Sequence, residues 1–393
     1  MEPDLSQLDD AIAEMDVDGY LIHADSSDAD QYYLSGFDAP DPYVTLYDGD
    51  VHLFFTRGME YGRAKTEARA VTVERGSTFD YQEKADEHGA TVARTLVIAD
   101  FLEAHGVESV AAPPAFPLLT ADDLRSNGID VSVDRNGAVS EVRATKTSEE
   151  IEHIREAQRA NEAAMARAEE LIAGASTDEN GQLVGDGEVL TSERVKQEIE
   201  IELLRHGCAL DETIVACGED AAEPHDRGSG PLLAGEPIII DIFPRNKESR
   251  YHADMTRTFC YGEADETLVE WFDLTDRARQ AALDAIEPGV ETDVVHGAAC
   301  DVYEDAGLAT LREDPTTETG FIHSTGHGIG LDVHEKPSVA ESGEELEAGH
   351  VITIEPGLYD PAVGGVRIED LVVVTDDGYE NLTEYDIHLE IGS

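Results

Sequence analysis

Lysine is almost missing from this chain: six occur, Lys65, Lys84, Lys146, Lys196, Lys247 and Lys336, and all 27 basic residues stand against 86 acidic ones. The formal net charge is −59 over 393 residues, spread along the whole length instead of gathered in one block. A surface of that sign repels nucleic acid and anionic membranes, so neither is expected as a partner. It predicts a salt-adapted protein, because the Debye length shrinks to about 3 Å at 1 M salt and self-repulsion is then screened. Cysteine is scarce too. Cys208, Cys217, Cys260 and Cys300 show no CxxC spacing and no charged-then-apolar leader opens the chain, which predicts reduced thiols and a cytoplasmic location. No apolar run approaches the roughly 20 residues that cross a bilayer. What remains is globular: 41% of residues are hydrophobic, and the length suits two domains of ordinary size.

The first part alternates strand and helix signals. GYLIHA (19–24), YYLSGF (32–37) and YVTLYDGDVHLFFT (43–56) follow one another, with Asp48-Gly49 marking a hairpin turn. A helical TLVIADFLEAHG (95–106) leads into VESVAA. An α/β domain over residues 1–140 is expected. Thr147 and Glu150 form a capping box, and Ile151, Ile154, Ala157 and Ala164 carry helical spacing to about residue 173. That helix opens a second domain, 145–393. The stretch STDENGQLVGDGE (176–188) has no periodicity and is expected to be an exposed acidic loop.

Residues 323–337, HSTGHGIGLDVHEKP, place three histidines among three glycines. Each glycine costs about 1 kcal/mol in a helix interior relative to alanine, so the segment reads as an irregular strand. A phosphate-binding loop is disfavoured by the missing Lys-Ser/Thr and by acidic neighbours, and His334-Glu335 is not HExxH because Ser338 takes the last position. The second domain also contains an internal echo. AGEPIIIDIFP (234–244) and AGHVITIEPGL (348–358) align Asp241 with Glu355, and ADMTRTF (253–259) and IEDLVVV (368–374) align Asp254 with Glu369. A duplicated half-domain with approximate two-fold symmetry would place four carboxylates together. Burying them is prohibitive unless cations neutralise them. Four carboxylates and one neutral imidazole match two divalent cations, and oxygen-rich ligation suits Mn²⁺ or Co²⁺, with Fe²⁺ or Zn²⁺ as further possibilities. Two such ions about 3.5–4 Å apart can hold a hydroxide between them and polarise a carbonyl.

PH (224–225), IIIDIFP with ADMTRTF, HSTGHGIGLDVHE, TIEPGLY and GGVRIED occur in the order found in a known family. The chain resembles the M24 metallopeptidases, the group of methionine aminopeptidases, aminopeptidase P, prolidase and creatinase. YLSGF in the first domain and RATKTSEEIEHIREAQ (143–158) are similar to the prolidase and aminopeptidase P branch. The resemblance implies an α/β N-terminal domain followed by an α+β pita-bread catalytic domain with pseudo-two-fold symmetry. It implies that Asp241, Asp254, His327, Glu355 and Glu369 ligate metal, with Asp254 and Glu369 bridging and Glu355 also moving a proton as a metal-held hydroxide attacks the substrate. His225 and His334 would stabilise the tetrahedral intermediate and donate to the leaving amine. His323 would lie near the substrate, and Arg367 would orient Glu369.

The implied activity is release of an N-terminal residue that precedes proline from a peptide, by a protein that pairs as a homodimer. The pattern departs from the family in two places. The Asp241-to-Asp254 interval is about two residues longer than usual, which a longer hairpin tip around NKESR (246–250) would absorb. Ser338 stands where some prolidases carry an arginine for the dipeptide carboxylate, which leaves open an aminopeptidase that cuts longer peptides. Two other function classes stand beside this one: non-peptide chemistry on the same fold (an amidine or ectoine-type hydrolase, or a sulfonium-compound lyase) and a non-catalytic binding module. The metal-free versions of both would tolerate loss of ligands, and the set here is intact.

Overall fold

The computed structural model describes residues 3–341 and 343–392, and the chain divides into two compact units, Met1–Arg143 and Ala144–Ser393. The first is built on a six-stranded mixed sheet. Its strands are β1 (Gly19–Ala24), β2 (Tyr43–Tyr47), β3 (Val51–Phe55), β4 (Thr72–Arg75), β5 (Ser109–Ala112) and β6 (Asp130–Val133), in the order β4-β3-β2-β1-β5-β6. The Asp48-Gly49 turn closes the β2–β3 hairpin, with Gly49 at φ 105°, where a side chain would be strained. Strands β1 to β3 are antiparallel, whereas β4, β5 and β6 join through helical crossovers and run parallel to their neighbours. Leu21, Val44, Leu46 and Phe54 pack under Val97 and Phe101 of the Ala90–Ala104 helix to make the core of this unit.

The second unit opens with the Ser148–Ala173 helix, whose capping box is formed: Thr147 accepts from the Glu150 amide and Glu150 returns a bond to the Thr147 amide. Residues 176–189 then depart from the expected loop. They form three short strands, β7 (Ser176–Thr177), β8 (Leu183–Gly185) and β9 (Glu188–Val189), in one small sheet. Leu183 is the reason, being fully buried in a core with Leu190 and Leu232, so one fully buried side chain anchors a stretch that is otherwise polar apart from Val184 and Val189. Sequence periodicity cannot register a single anchor.

Two antiparallel hairpins carry the rest of the unit. Strands β10 (Cys208–Ala209) and β11 (Thr213–Cys217) precede β12 (Pro237–Ile242), and β13 (Arg245–Asn246) lies in the turn before β14 (Met255–Tyr261). The sheet β11-β12-β14 is completed by the late strand β22 (Glu390–Ile391). The long tip expected around residues 246–250 is drawn aside, because β13 pairs with β10 and leaves the β12–β14 ladder undisturbed. In the second half, β15 (Gly326–Gly328), β16 (Glu335–Val339), β17 (Val351–Ile354), β20 (Asp370–Thr375) and β21 (Gly378–Asn381) form a sheet in the order β16-β15-β17-β20-β21. A small hairpin of β18 (Gly357–Asp360) and β19 (Gly364–Arg367) lies between β17 and β20.

Each half is backed by two helices. Ala160, Ala164, Val195 and Ile199 of the Ser148–Ala173 and Ser192–Arg205 helices bury Ile238, Ile240 and Met255. Trp271, Ala278, Val295 and Ala299 of the Glu266–Asp284 and Thr292–Asp305 helices bury Ile352, Ile354 and Val372. At roughly 1.5–3 kcal/mol for each fully buried large apolar side chain, these cores fix both hairpins from behind. Their open ends hold the polar residues.

Candidate metal centre

The four carboxylates sit where strands end. Asp241 is the penultimate residue of β12, Asp254 precedes β14, Glu355 follows β17 and Glu369 precedes β20. The echo is approximate in register. Ile354 pairs with Asp370, so one step further places Glu355 opposite Glu369, whereas Asp241 lies opposite Thr256. Backbone amides join the two hairpins at this level: that of Glu369 donates to the Thr256 carbonyl (3.1 Å) and that of Arg367 to the Thr258 hydroxyl Oγ1 (3.0 Å). That seam brings Glu369 to Asp254.

His327 arrives on β15, an irregular strand with a register shift after His327. Its glycines are needed for close approach. A Cβ on Gly326 would stand 1.9 Å from Thr353 O, and one on Gly328 would stand 2.1 Å from Lys336 O. With β15 pressed against β17, the Glu355 amide donates to Thr325 O (2.7 Å) and the His327 amide to Thr353 Oγ1 (3.1 Å). The result is one cavity of about 700 Å³ lined by Asp241, Asp254, His327, Glu355 and Glu369, with His225, His323, His334 and Arg367 also on its wall. All nine sequence-selected residues are therefore brought together.

The chemistry of the donors calls for cations. His327 Nδ1–H donates to Gly328 O (3.0 Å), which leaves the Nε2 lone pair facing Glu355 Oε1 at 3.3 Å and Asp254 Oδ2 at 3.7 Å. Burial holds this imidazole below the usual histidine range, so it stays neutral. A lone pair aimed at carboxylate oxygens is repulsive until something positive lies between them. Asp241 Oδ1, Asp254 Oδ1 and Glu369 Oε1 are buried and have no hydrogen-bond partner among the described residues. One atom each from Asp254, His327 and Glu369 lies within 4.8 Å of the others. These residues fit a divalent metal site, with Asp241 and Glu355 as further oxygen donors.

Electrostatics agree. Burial, then Glu369, Asp241 and Glu355, push the Asp254 carboxyl well above its ordinary range, and burial with Glu355 and Asp241 does the same to Glu369. Glu355 is raised to about 7, mainly by burial and against the pull of Arg367. Without cations the site would hold protons instead.

Around these residues lies a shell that sequence reading assigned only in part. Arg367 was expected to orient Glu369, but its guanidinium donates to Asp241 Oδ2 (2.7 Å), to the Tyr359 hydroxyl (2.8 Å) and to Thr256 Oγ1 (3.2 Å). Glu369 Oε2 accepts from Thr256 Oγ1 (2.8 Å), so Arg367 reaches Glu369 through that hydroxyl and not directly. His323 Nδ1–H donates to Ser324 O (2.7 Å), so its Nε2 accepts from Tyr359 Oη (3.1 Å), and burial lowers its pKa to about 3. Tyr359, Thr256 and Thr353, which bonds Glu355 Oε1 (3.2 Å), were not foreseen. Thr353 and Tyr359 open and close the quoted motif TIEPGLY and Thr256 lies in ADMTRTF, so motif membership was the available signal for all three.

The His334 ring meets that of His327 edge-on at 4.3 Å on the cavity wall, and its pKa is lowered by burial and by His327. Its loop is fixed by Glu335, which accepts from buried Lys146 Nζ (3.0 Å) and from the Asp332 amide (2.9 Å). Beneath the site, Arg257 is almost wholly buried and paired with Asp370 (2.9 Å), while its Nη1 donates to Glu369 O (2.6 Å). That bond pins the backbone of a candidate ligand.

Comparison with known proteins gives this arrangement a family. The profile of Metallopeptidase family M24 matches residues 152–376, and that of the Creatinase/Prolidase N-terminal domain matches residues 5–156. An Xaa-Pro dipeptidase of Pyrococcus furiosus is 30% identical over 359 residues, covering 90% of this chain and 90% of the relative. The crystal structure of the prolidase from Pyrococcus horikoshii superposes with a TM-score of 0.78 at 25% identity, covering 98% of this chain and 99% of the other. An Xaa-Pro dipeptidase from Bacillus anthracis shares the fold with a TM-score of 0.80 at 24% identity, covering 98% of each chain. The expected architecture, an α/β N-terminal domain before a pita-bread catalytic domain, is therefore the one the chain has. This protein belongs to metallopeptidase family M24.

Proposed function

We propose that the protein hydrolyses the bond between an N-terminal residue and a following proline, using two divalent cations held by Asp241, Asp254, His327, Glu355 and Glu369. The observation that carries this reading is the neutral His327 Nε2 aimed at Asp254 and Glu355, beside three buried carboxylate oxygens without partners among the described residues. The names of the relatives, Xaa-Pro dipeptidases and prolidases, point to the same bond. When bound, the cations supply a nucleophilic water at neutral pH and polarise the scissile carbonyl.

The chain's own residues do the rest. Glu355 takes the proton as water oxygen bonds to the carbonyl carbon, and returns it to the proline nitrogen as the C–N bond breaks. The products are a free carboxylate and a secondary amine. His334 and His225, on the cavity wall, donate hydrogen bonds to the developing oxyanion and to the leaving nitrogen. Partial burial and His327 hold the His334 pKa below the usual histidine range, which favours the neutral ring that donates without repelling the cations. Arg367 neutralises part of the carboxylate charge and holds Asp241 through Oδ2, and Tyr359 ties Arg367 to His323.

Mn²⁺ or Co²⁺ is the favoured pair for this oxygen-rich donor set, with availability deciding between them. The net charge of −59 supports operation in concentrated salt. A homodimer in the cytoplasm completes the reading: the first rests on the family resemblance, and the second is in keeping with four free cysteines. The test is Glu355→Ala in molar KCl with Mn²⁺. Hydrolysis of Ala-Pro-Ala is expected to disappear while the circular dichroism spectrum is unchanged, and retained hydrolysis would refute the assigned role.

A further inference from the structure

The N-terminal unit contains a second group of metal-type donors. Asp48 sits in the β2–β3 turn, His52 on β3, Glu74 on β4, and His105 directly after the Ala90–Ala104 helix. One oxygen of Asp48 and one ring nitrogen each of His52 and His105 all lie within 4.8 Å of one another. His52 Nε2 is 2.9 Å from Asp48 Oδ1, and His105 Nε2 is 3.3 Å from Glu74 Oε2. The two imidazole rings are 4.2 Å apart. Ligand atoms on one tetrahedral ion with bonds of about 2.0–2.1 Å stand ~3.4 Å from each other, so a cation could be enclosed by small side-chain rotations.

The surroundings also suit a ligand pair. His52 is buried, facing the helix-covered side of the sheet with Leu46 and Phe54, and its Nδ1 is taken by Thr72 Oγ1 (2.8 Å). A hydrogen bond at the remote nitrogen is the usual way a ligating imidazole is oriented. His105 packs edge-on against Phe101 (4.8 Å), which walls one side with hydrocarbon, while Asp48 opens the other side to water. Both imidazoles face carboxylates, His52 that of Asp48 and His105 that of Glu74.

We propose that Asp48, His52 and His105, with Glu74 as fourth donor, bind one borderline divalent cation of the Zn²⁺ or Co²⁺ class. Two nitrogens and two oxygens in a compact group suit those ions better than Mg²⁺ or Ca²⁺, which take oxygen ligands. Such an ion would join the β2–β3 turn, edge strand β4 and the end of the Ala90–Ala104 helix, elements far apart in sequence. Its role is therefore to hold the N-terminal unit together.

The test counts Zn²⁺ bound by the chelator-stripped full chain after equilibrium dialysis in 1 M KCl with excess Mg²⁺, which occupies exposed carboxylates. His105→Gln and Asp48→Asn are each expected to bind one equivalent fewer than the unaltered protein and to keep their peptidase activity with Mn²⁺. The difference of one ion carries the test, whatever number the catalytic domain takes, so it is independent of the proposed function. Should either variant fail to fold, the doubly altered Asp241→Asn, Glu369→Gln protein is expected to retain one tightly held Zn²⁺. Equal Zn²⁺ content in the unaltered protein and the variants, or no retained ion in the double variant, would overturn the proposal.

Discussion

Glu355→Gln in the metal-stripped protein separates the cost of the carboxylate cluster from everything else that titrates. Folded Glu355 keeps its proton up to about pH 7, whereas its ordinary value is 4.5. Between those values the folded state binds more protons than the unfolded one, so stability falls as pH rises through the window. Integrated from pH 5 to pH 8, a single group with these two values contributes a loss of about 2.5 kcal/mol. Glutamine in its place, with its amide nitrogen at the Oε1 position, offers N–H groups to the His327 lone pair and to the Thr353 hydroxyl oxygen, and it does not titrate. Buried histidines away from the site titrate in the opposite direction in both proteins, and subtraction removes them. Asp254 and Glu369, which Glu355 helps push up, are relieved in the variant, and this adds to the difference in the same direction. The stability of the stripped variant relative to the stripped parent is therefore expected to rise by about 2.5 kcal/mol between pH 5 and pH 8, roughly 5–10 °C in the melting temperature of a unit this size. The measurement is thermal unfolding in 2 M KCl with chelator, where surface charge is screened but the buried cluster is not. With Mn²⁺ restored the order should reverse at pH 8, because the variant has lost a ligand. A stability difference that does not change with pH would refute the argument that Glu355 is protonated in the empty site.

Other perturbations probe the surrounding shell. Asp370→Ala leaves the buried Arg257 guanidinium without its carboxylate and takes one of two carboxylates from Arg279, which keeps Asp276, and is expected to cost about 3–5 kcal/mol in denaturant unfolding and to lower activity through the Glu369 backbone. Gly326→Ala places a Cβ 1.9 Å from Thr353 O and should destabilise by about 1–3 kcal/mol while weakening Mn²⁺ affinity, both read by metal-dependent melting curves. Tyr359→Phe leaves buried Arg367 and His323 each without one bond. A loss of about 1–3 kcal/mol in stability is expected, with kcat reduced more than KM. A titration of KCl from 0.1 to 3 M should raise both the melting temperature and the activity, as screening relieves self-repulsion, and a flat response would remove the case for salt adaptation.

The candidate site was legible because its carboxylates recur in a duplicated pattern, with a fixed offset behind a buried strand, and because the glycines around His327 exclude a helix. Strand β1, the β2–β3 turn and the capped Ser148–Ala173 helix rest on local rules of alternation, turn residues and capping, and they lie where those rules place them. The partners of the site residues could not be read in the same way. Arg367 meets Asp241 across 126 positions, and Thr256 meets Glu369 across 113. Such pairings are set by how two hairpins are joined, not by local spacing. Arg257 with Asp370 was hidden for a different reason, since a buried ion pair looks in sequence like two ordinary surface charges. The strands of 176–189 were missed because one leucine holds them.

The most direct test of the account is release of alanine from Ala-Pro, Ala-Pro-Ala and Ala-Leu-Ala by chelator-treated protein in molar KCl, before and after Mn²⁺ is returned. The account predicts no release before, and release from the proline peptides but not from Ala-Leu-Ala after. The ratio of dipeptide to tripeptide cleavage will show what Ser338 in the cavity wall does to dipeptide preference. Release without metal, or no release from any peptide by folded protein with its ions bound, would contradict it.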